Sequence, residues 1–125
     1  TILVDAAGTF VVDAKINKEM HELLEQYPNN KIILTNANDE QLITFGLANM
    51  PYEIFTLKHN PDKVDPKYFE TMLKHYNLKP EDCLYFEHSL EAVNSAKSVG
   101  INSFHYDANK KDLVSLKKFL DDNVD

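Results

Sequence analysis

The chain has 125 residues, 43% of them hydrophobic, and a formal net charge of -7. That size and composition fit one globular domain around one core and exclude a disordered chain. The acidic balance, with no basic stretch longer than Lys110-Lys111, argues against nucleic acid and anionic membranes as partners.

Strand and helix signals alternate along the whole chain. Residues 2–4, ILV, form a short β-branched apolar run that ends at Asp5. Met20, Leu23, Leu24 and Tyr27 recur at helical spacing, and YPNN ends that helix. KIIL at 31–34 is a second buried strand, leading into Thr35-Asn36. A helix with Leu42 and Phe45 follows and closes near Gly46. Ile54 to Leu57 make a third strand, and a polar loop broken by Pro61 carries the chain to Pro66, a good first residue of a helix. Phe69, Met72, Leu73 and Tyr76 give that helix an apolar stripe at i, i+3, i+4, i+7.

Leu84 to Phe86 form a fourth strand. Ser89 is suited to cap the next helix, which runs through Val93, Ala96 and Val99 to Gly100. Asn102 to Tyr106 make a fifth strand, and Leu113, Leu116, Phe119 and Leu120 line a last helix. The lone Cys83 can form no internal disulfide. It reads as a small buried hydrophobe, and a reducing cytoplasm is the expected compartment. No apolar run approaches the roughly 18 residues of a membrane span, and no signal-peptide pattern is visible from Thr1 onward.

Five short strands separated by helices predict an α/β fold, a three-layer Rossmann-like domain with a five-stranded parallel sheet. Ligands of such sheets sit outside the carboxyl ends of the strands. The chemically distinctive residues fall at those ends: Asp5, Thr35-Asn36 and Glu87-His88, with Lys63 in the loop after the third strand. Asp5 is a candidate nucleophile and magnesium ligand, because a carboxylate can attack phosphorus and magnesium prefers hard oxygens. It can equally be a strand-end acid held by the following turn. Gly8 and Thr9 suit a tight turn whose backbone N–H groups could cradle an anion. Thr35 and Asn36 offer a hydroxyl and an N–H to a phosphoryl oxygen, and Asn36 or Asn38 is suited to cap the next helix, two roles that are compatible.

Four stretches, in order, resemble the motifs of the haloacid dehalogenase-like (HAD) superfamily. VDAAGTF is similar to its first-strand signature. ILTN stands in the place of its second motif, KVDPKYF resembles its lysine loop, and YFEHSLEAVNSAKSVGIN resembles its acidic fourth motif and helix. The resemblance implies strand order 3-2-1-4-5 and a single core domain over residues 1–125, with no cap inserted at either usual place. It implies Asp5 as nucleophile and Lys63 as the lysine that neutralises phosphate and nucleophile, with Lys58 as the fallback. Gly8, Thr9, Thr35 and Asn36 would hold phosphate, and Asp5, Glu87 and His88 would hold the metal, Mg²⁺.

Two positions depart from the family pattern. Ala7 stands where phosphatase relatives carry their general acid/base, and an alanine can neither protonate a leaving group nor activate water. The AAGT stretch resembles phosphonoacetaldehyde hydrolases, which also have alanine here but use a cap lysine for which this chain has no evident counterpart. Asp13 could replace the missing acid only if several extra residues folded back. His88 stands where an aspartate is expected, and imidazole prefers zinc, copper, iron or nickel to magnesium. Two functions follow as expectations. One is a HAD-type phosphoric monoester hydrolase with a modified metal site. The other is a weak or silent domain that keeps a pocket for a phosphorylated small molecule, or binds a protein partner.

Overall fold

The computed structural model describes residues 1–124. Five parallel strands form its central sheet: β1 (Ile2–Asp5), β4 (Lys31–Thr35), β5 (Glu53–Thr56), β6 (Leu84–Glu87) and β7 (Asn102–His105). Their spatial order is β5-β4-β1-β6-β7, which is the expected 3-2-1-4-5 pattern. The third and fifth strands differ slightly from their sequence bounds, since Leu57 and Tyr106 lie just beyond the ladder. The stretch between the first two strands is expected to hold one helix. It holds α1 (Lys18–Leu24) and, before it, a small antiparallel hairpin of β2 (Val11–Val12) and β3 (Lys15–Ile16). Two-residue strands carry too little periodicity to register in a sequence.

Alternation along the strands divides the core in two. Ile2, Val4, Ile33 and Phe86 face one layer, packed with Met20 and Leu24 of α1 and with Leu116 and Leu120 of α5 (Leu113–Asn123). Leu3, Ile32, Leu34 and Tyr85 face the other, against Tyr68, Phe69, Met72 and Leu73 of α3 (Pro66–Tyr76) and Ala96 of α4 (Leu90–Ser98). The large apolar side chains of both layers are almost fully buried, each contributing about 1.5–3 kcal/mol relative to exposure. The short α2 (Asp39–Thr44) buries none of its own residues fully. Leu42 and Phe45 only lean on the first layer.

Local signals fix the helix starts. Asn38 and Gln41 form a reciprocal capping box on α2. Asp65 accepts from the Lys67 N–H, and Pro66 opens α3. Ser89 caps α4 by accepting from the Ala92 N–H. Gly46 ends the α2 segment at φ 74°, and a Cβ there would lie 2.4 Å from the Ala14 carbonyl oxygen. The tip of the hairpin therefore rests directly on that glycine.

Candidate functional site

Sheet register makes the site. Leu3 pairs with Tyr85 and Val4 with Phe86, so Asp5 comes level with Glu87 on the neighbouring strand. Both belong to the α3/α4 face, because Leu3 and Tyr85 point there and side chains repeat every second residue. Adjacent strands are about 4.8 Å apart. Two carboxylates are therefore buried side by side, each about 1% exposed, an arrangement that requires a counter-charge.

Lys63 supplies it. Its Nζ lies 2.7 Å from Asp5 Oδ1 and 2.7 Å from Glu87 Oε1, and it also donates to the Leu34 carbonyl at 3.2 Å. Those three acceptors use all three ammonium protons. The loop that delivers Lys63 is tied at several points. The Lys63 N–H donates to Asn36 Oδ1 at 2.7 Å, Ser95 Oγ donates to the Val64 carbonyl at 2.6 Å, and α3 begins immediately after. Lys58 is elsewhere, paired with Asp39 on the surface at 3.1 Å.

His88 is the second counter-group. Its Nδ1 lies 2.5 Å from Asp5 Oδ2 and 3.2 Å from Glu87 Oε2. Thr9 donates its hydroxyl to the same Asp5 oxygen at 2.6 Å. Glu87 further accepts from the Tyr85 hydroxyl at 2.5 Å and from the Ser89 N–H at 3.1 Å. Burial alone would raise the Asp5 pKa. The charge of Lys63 and the hydrogen bond from His88 outweigh it and hold the carboxyl well below its usual range. Burial would likewise lower the Lys63 pKa, but Asp5 and then Glu87 raise it. The hydrogen bonds to Asp5 and Glu87 push the His88 imidazole up to about 10, against burial, which lowers it.

The cluster forms the floor of a cavity of about 320 Å³ at the carboxyl edge of the sheet. Ala7, Thr35 and Asn36 also line it, as do Phe45, His59 and Gln41. The structure thus gathers Asp5, Ala7, Thr35, Asn36, Lys63, Glu87 and His88 around one space. Gly8 and Thr9 are not in its lining. The Gly8 N–H donates to the Val11 carbonyl and the Thr9 N–H to the Ala6 carbonyl, so both amides are spent within the turn. Asp13 sits exposed at the hairpin tip in a left-handed conformation, φ 53°, away from the cavity lining. Asn36 caps nothing. It anchors the lysine loop, while Asn38 does the capping.

Sequence reasoning missed Tyr85, His59 and Gln41. Tyr85 was accessible, since it stands two residues before Glu87 and so shares its face. His59 and Gln41 were not. They meet only because the loop after β5 folds beside α2, with His59 Nε2 2.5 Å from Gln41 Oε1. Asp5, Glu87 and His88 each offer one ligand atom, all within 4.8 Å of one another, close enough to share a metal ion. Among the described residues no helix is long and apolar enough to cross a membrane.

No protein-family model matches the chain, and no curated protein matches it. Solved structures do. An uncharacterized protein from Corynebacterium glutamicum superposes with a TM-score of 0.65 at 17% identity, covering 96% of this chain and 93% of that one. A HAD family enzyme of Bacteroides thetaiotaomicron, a mutant in complex with magnesium and inorganic phosphate, gives 0.64 at 11% identity, covering 86% and 93%. A HAD-superfamily hydrolase of subfamily IA from Geobacter sulfurreducens gives 0.58 at 19% identity. It matches 82% of this chain, which spans only 56% of that protein. An open five-stranded parallel sheet covered by helices on both faces defines the class as Rossmann-like α/β. Within that class the chain has the HAD-like superfamily fold.

Proposed function

We propose that this chain is a HAD-fold binding domain, related to metal-dependent phosphohydrolases, that does not turn over phosphate esters. The observation that carries the reading is the state of Asp5. Oδ1 accepts from Lys63, and Oδ2 accepts from Thr9 and faces His88, so both oxygens are held and neutralised by side chains, which lowers the nucleophilicity of the carboxylate. Ala7 compounds this, because general acid-base help is typically worth about a hundred- to ten-thousandfold. The donor set does not suit magnesium either. That ion wants a near-octahedral shell of oxygens, and here one of three donors is a ring nitrogen while both carboxylates are already paired.

What supports a binding role is the cavity itself. The Thr35 hydroxyl accepts from the Ala37 N–H and the Asn36 oxygen accepts from Lys63. The hydroxyl proton and the Asn36 amide protons are left to meet a ligand. A phosphorylated small molecule is the ligand these donors fit. The short connections on either side of β4, with no large insertion over the cavity, support a capless core domain. The buried thiol of Cys83, whose pKa burial raises, fits a reducing compartment such as the cytoplasm.

The test is turnover of generic phosphate monoesters with Mg²⁺, Mn²⁺, Co²⁺ or Zn²⁺, run beside Asp5→Asn. The expected result is no metal-dependent hydrolysis above the variant. Hydrolysis that needs metal and disappears in Asp5→Asn would establish an active phosphatase using Asp5 and overturn the reading.

A further inference from the structure

We propose that His88 occupies the place a divalent cation would need, beside carboxylates that Lys63 already neutralises, so that the folded site excludes metal and is held together by its own side chains. This deepens the reading of the Asp5 cavity as non-hydrolytic and rests on it.

A tally of the carboxylate oxygens supports the proposal. Asp5 Oδ1 accepts from Lys63. Asp5 Oδ2 accepts from Thr9 Oγ1 and faces His88 Nδ1. Glu87 Oε1 accepts from Lys63 and Tyr85, and Glu87 Oε2 accepts from the Ser89 N–H. No oxygen of the pair lacks a partner. Buried carboxylates with this many donors have already replaced much of their hydration, so a metal would compete with donors in place at every oxygen.

His88 is also seated, not merely nearby. Its ring lies on the Gly8 turn, where an added Cβ would stand 2.9 Å from Cε1 and 3.1 Å from Nε2. Gly8, at φ 87°, provides both the turn and the space. Thr9 Oγ1 is 3.1 Å from Nδ1, and His105 Nε2 is 2.9 Å from the His88 carbonyl oxygen. The next residue, Ser89, is fixed as the cap of α4. These contacts aim Nδ1 at Asp5 Oδ2, 2.5 Å away. A ligand set must instead point its lone pairs at a common centre about 2.0–2.3 Å from each donor. An ion between Nδ1 and Oδ2 would force the ring off its seat.

The experiment is direct metal titration of the whole chain, with Mn²⁺ followed by electron paramagnetic resonance and Mg²⁺ and Zn²⁺ by calorimetry. Melting curves are recorded with each metal and with chelator. The unaltered chain should show no saturable binding below about 1 mM, the weak end of protein sites for hard cations, and the same melting temperature in every buffer. His88→Asp should gain a saturable Mn²⁺ signal and a metal-dependent rise in melting temperature. If His88→Asp does not fold, His88→Ala should still admit Mn²⁺ or Zn²⁺ more readily than the unaltered chain. Saturable binding by the unaltered chain that weakens in His88→Ala would overturn the proposal. So would folded variants that gain nothing. Metal binding without ester turnover would overturn this proposal alone, whereas turnover in metal-free buffer would overturn the functional reading and leave metal exclusion standing.

Discussion

Replacing Lys63 with methionine keeps the length and most of the volume of the side chain while deleting its charge. At an effective dielectric constant of 20, each 2.7 Å contact carries a gross attraction of roughly 6 kcal/mol. Desolvation of the three charges and the repulsion between Asp5 and Glu87 offset much of that. The informative quantity is the cost of stranding the partners, about 3–5 kcal/mol when one member of a buried ion pair is removed. Small domains are stable by only about 5–15 kcal/mol, so Lys63→Met should lose a large share of the total. At roughly 3–5 °C per kcal/mol for a chain of this size, the melting temperature should fall by about 10–20 °C. Urea unfolding followed by circular dichroism measures the loss. Adding Glu87→Gln to Lys63→Met should recover at least about 1 kcal/mol, because it removes one of the two stranded charges. A loss below about 1 kcal/mol in the single variant, or no recovery in the double variant, would refute the view that Lys63 neutralises a buried carboxylate pair.

Stability should depend on pH at both ends. The His88 pKa is raised from 6.5 to about 10 by Asp5 and Glu87, so its contribution is complete below about pH 6.5 and fades as pH rises toward 10. The Asp5 pKa is depressed below 3.8, so its contribution is present above that value and fades in stronger acid. Urea midpoints against pH should therefore decline in the alkaline range for the unaltered chain and less so for His88→Ala. Equal alkaline slopes would count against the Asp5–His88 pairing. At the hairpin, Gly46→Ala combines a left-handed backbone with a 2.4 Å approach to the Ala14 carbonyl. It should cost about 2–4 kcal/mol and speed amide hydrogen exchange at Val11–Ile16, whereas unchanged exchange there would mean that the hairpin tip does not depend on this contact.

Sequence alone determined the layers and the strand-end part of the site, Asp5, Thr35, Asn36, Glu87 and His88 with Lys63, but it also enrolled Gly8 and Thr9, which lie outside the cavity lining. Short apolar runs such as ILV at 2–4, IIL at 32–34 and LYF at 84–86, broken by helical stripes and capping residues, point to a parallel sheet covered on both faces. The chemical residues at the strand ends were legible for the same reason. Ala7 and His88 were visible as departures because a missing functional group shows in the residue type itself.

Pairing was decided only by the tertiary structure. Nothing in a linear pattern states that Asp5 comes level with Glu87, because that follows from the register of β1 on β6. Once the register is set, strand spacing forces two buried carboxylates together, and Lys63, 58 residues from Asp5 along the chain, must close the charge. The Gly8-Thr9 turn shows the same division. Its residue types fit an anion nest, but the amides bond within the turn, Thr9 turns its hydroxyl to Asp5, and His88 fills the space over Gly8. Residue type sets which interactions a side chain can make. Which one it makes depends on neighbours brought from distant parts of the chain, and here those neighbours are an acid, a lysine and an imidazole that satisfy one another.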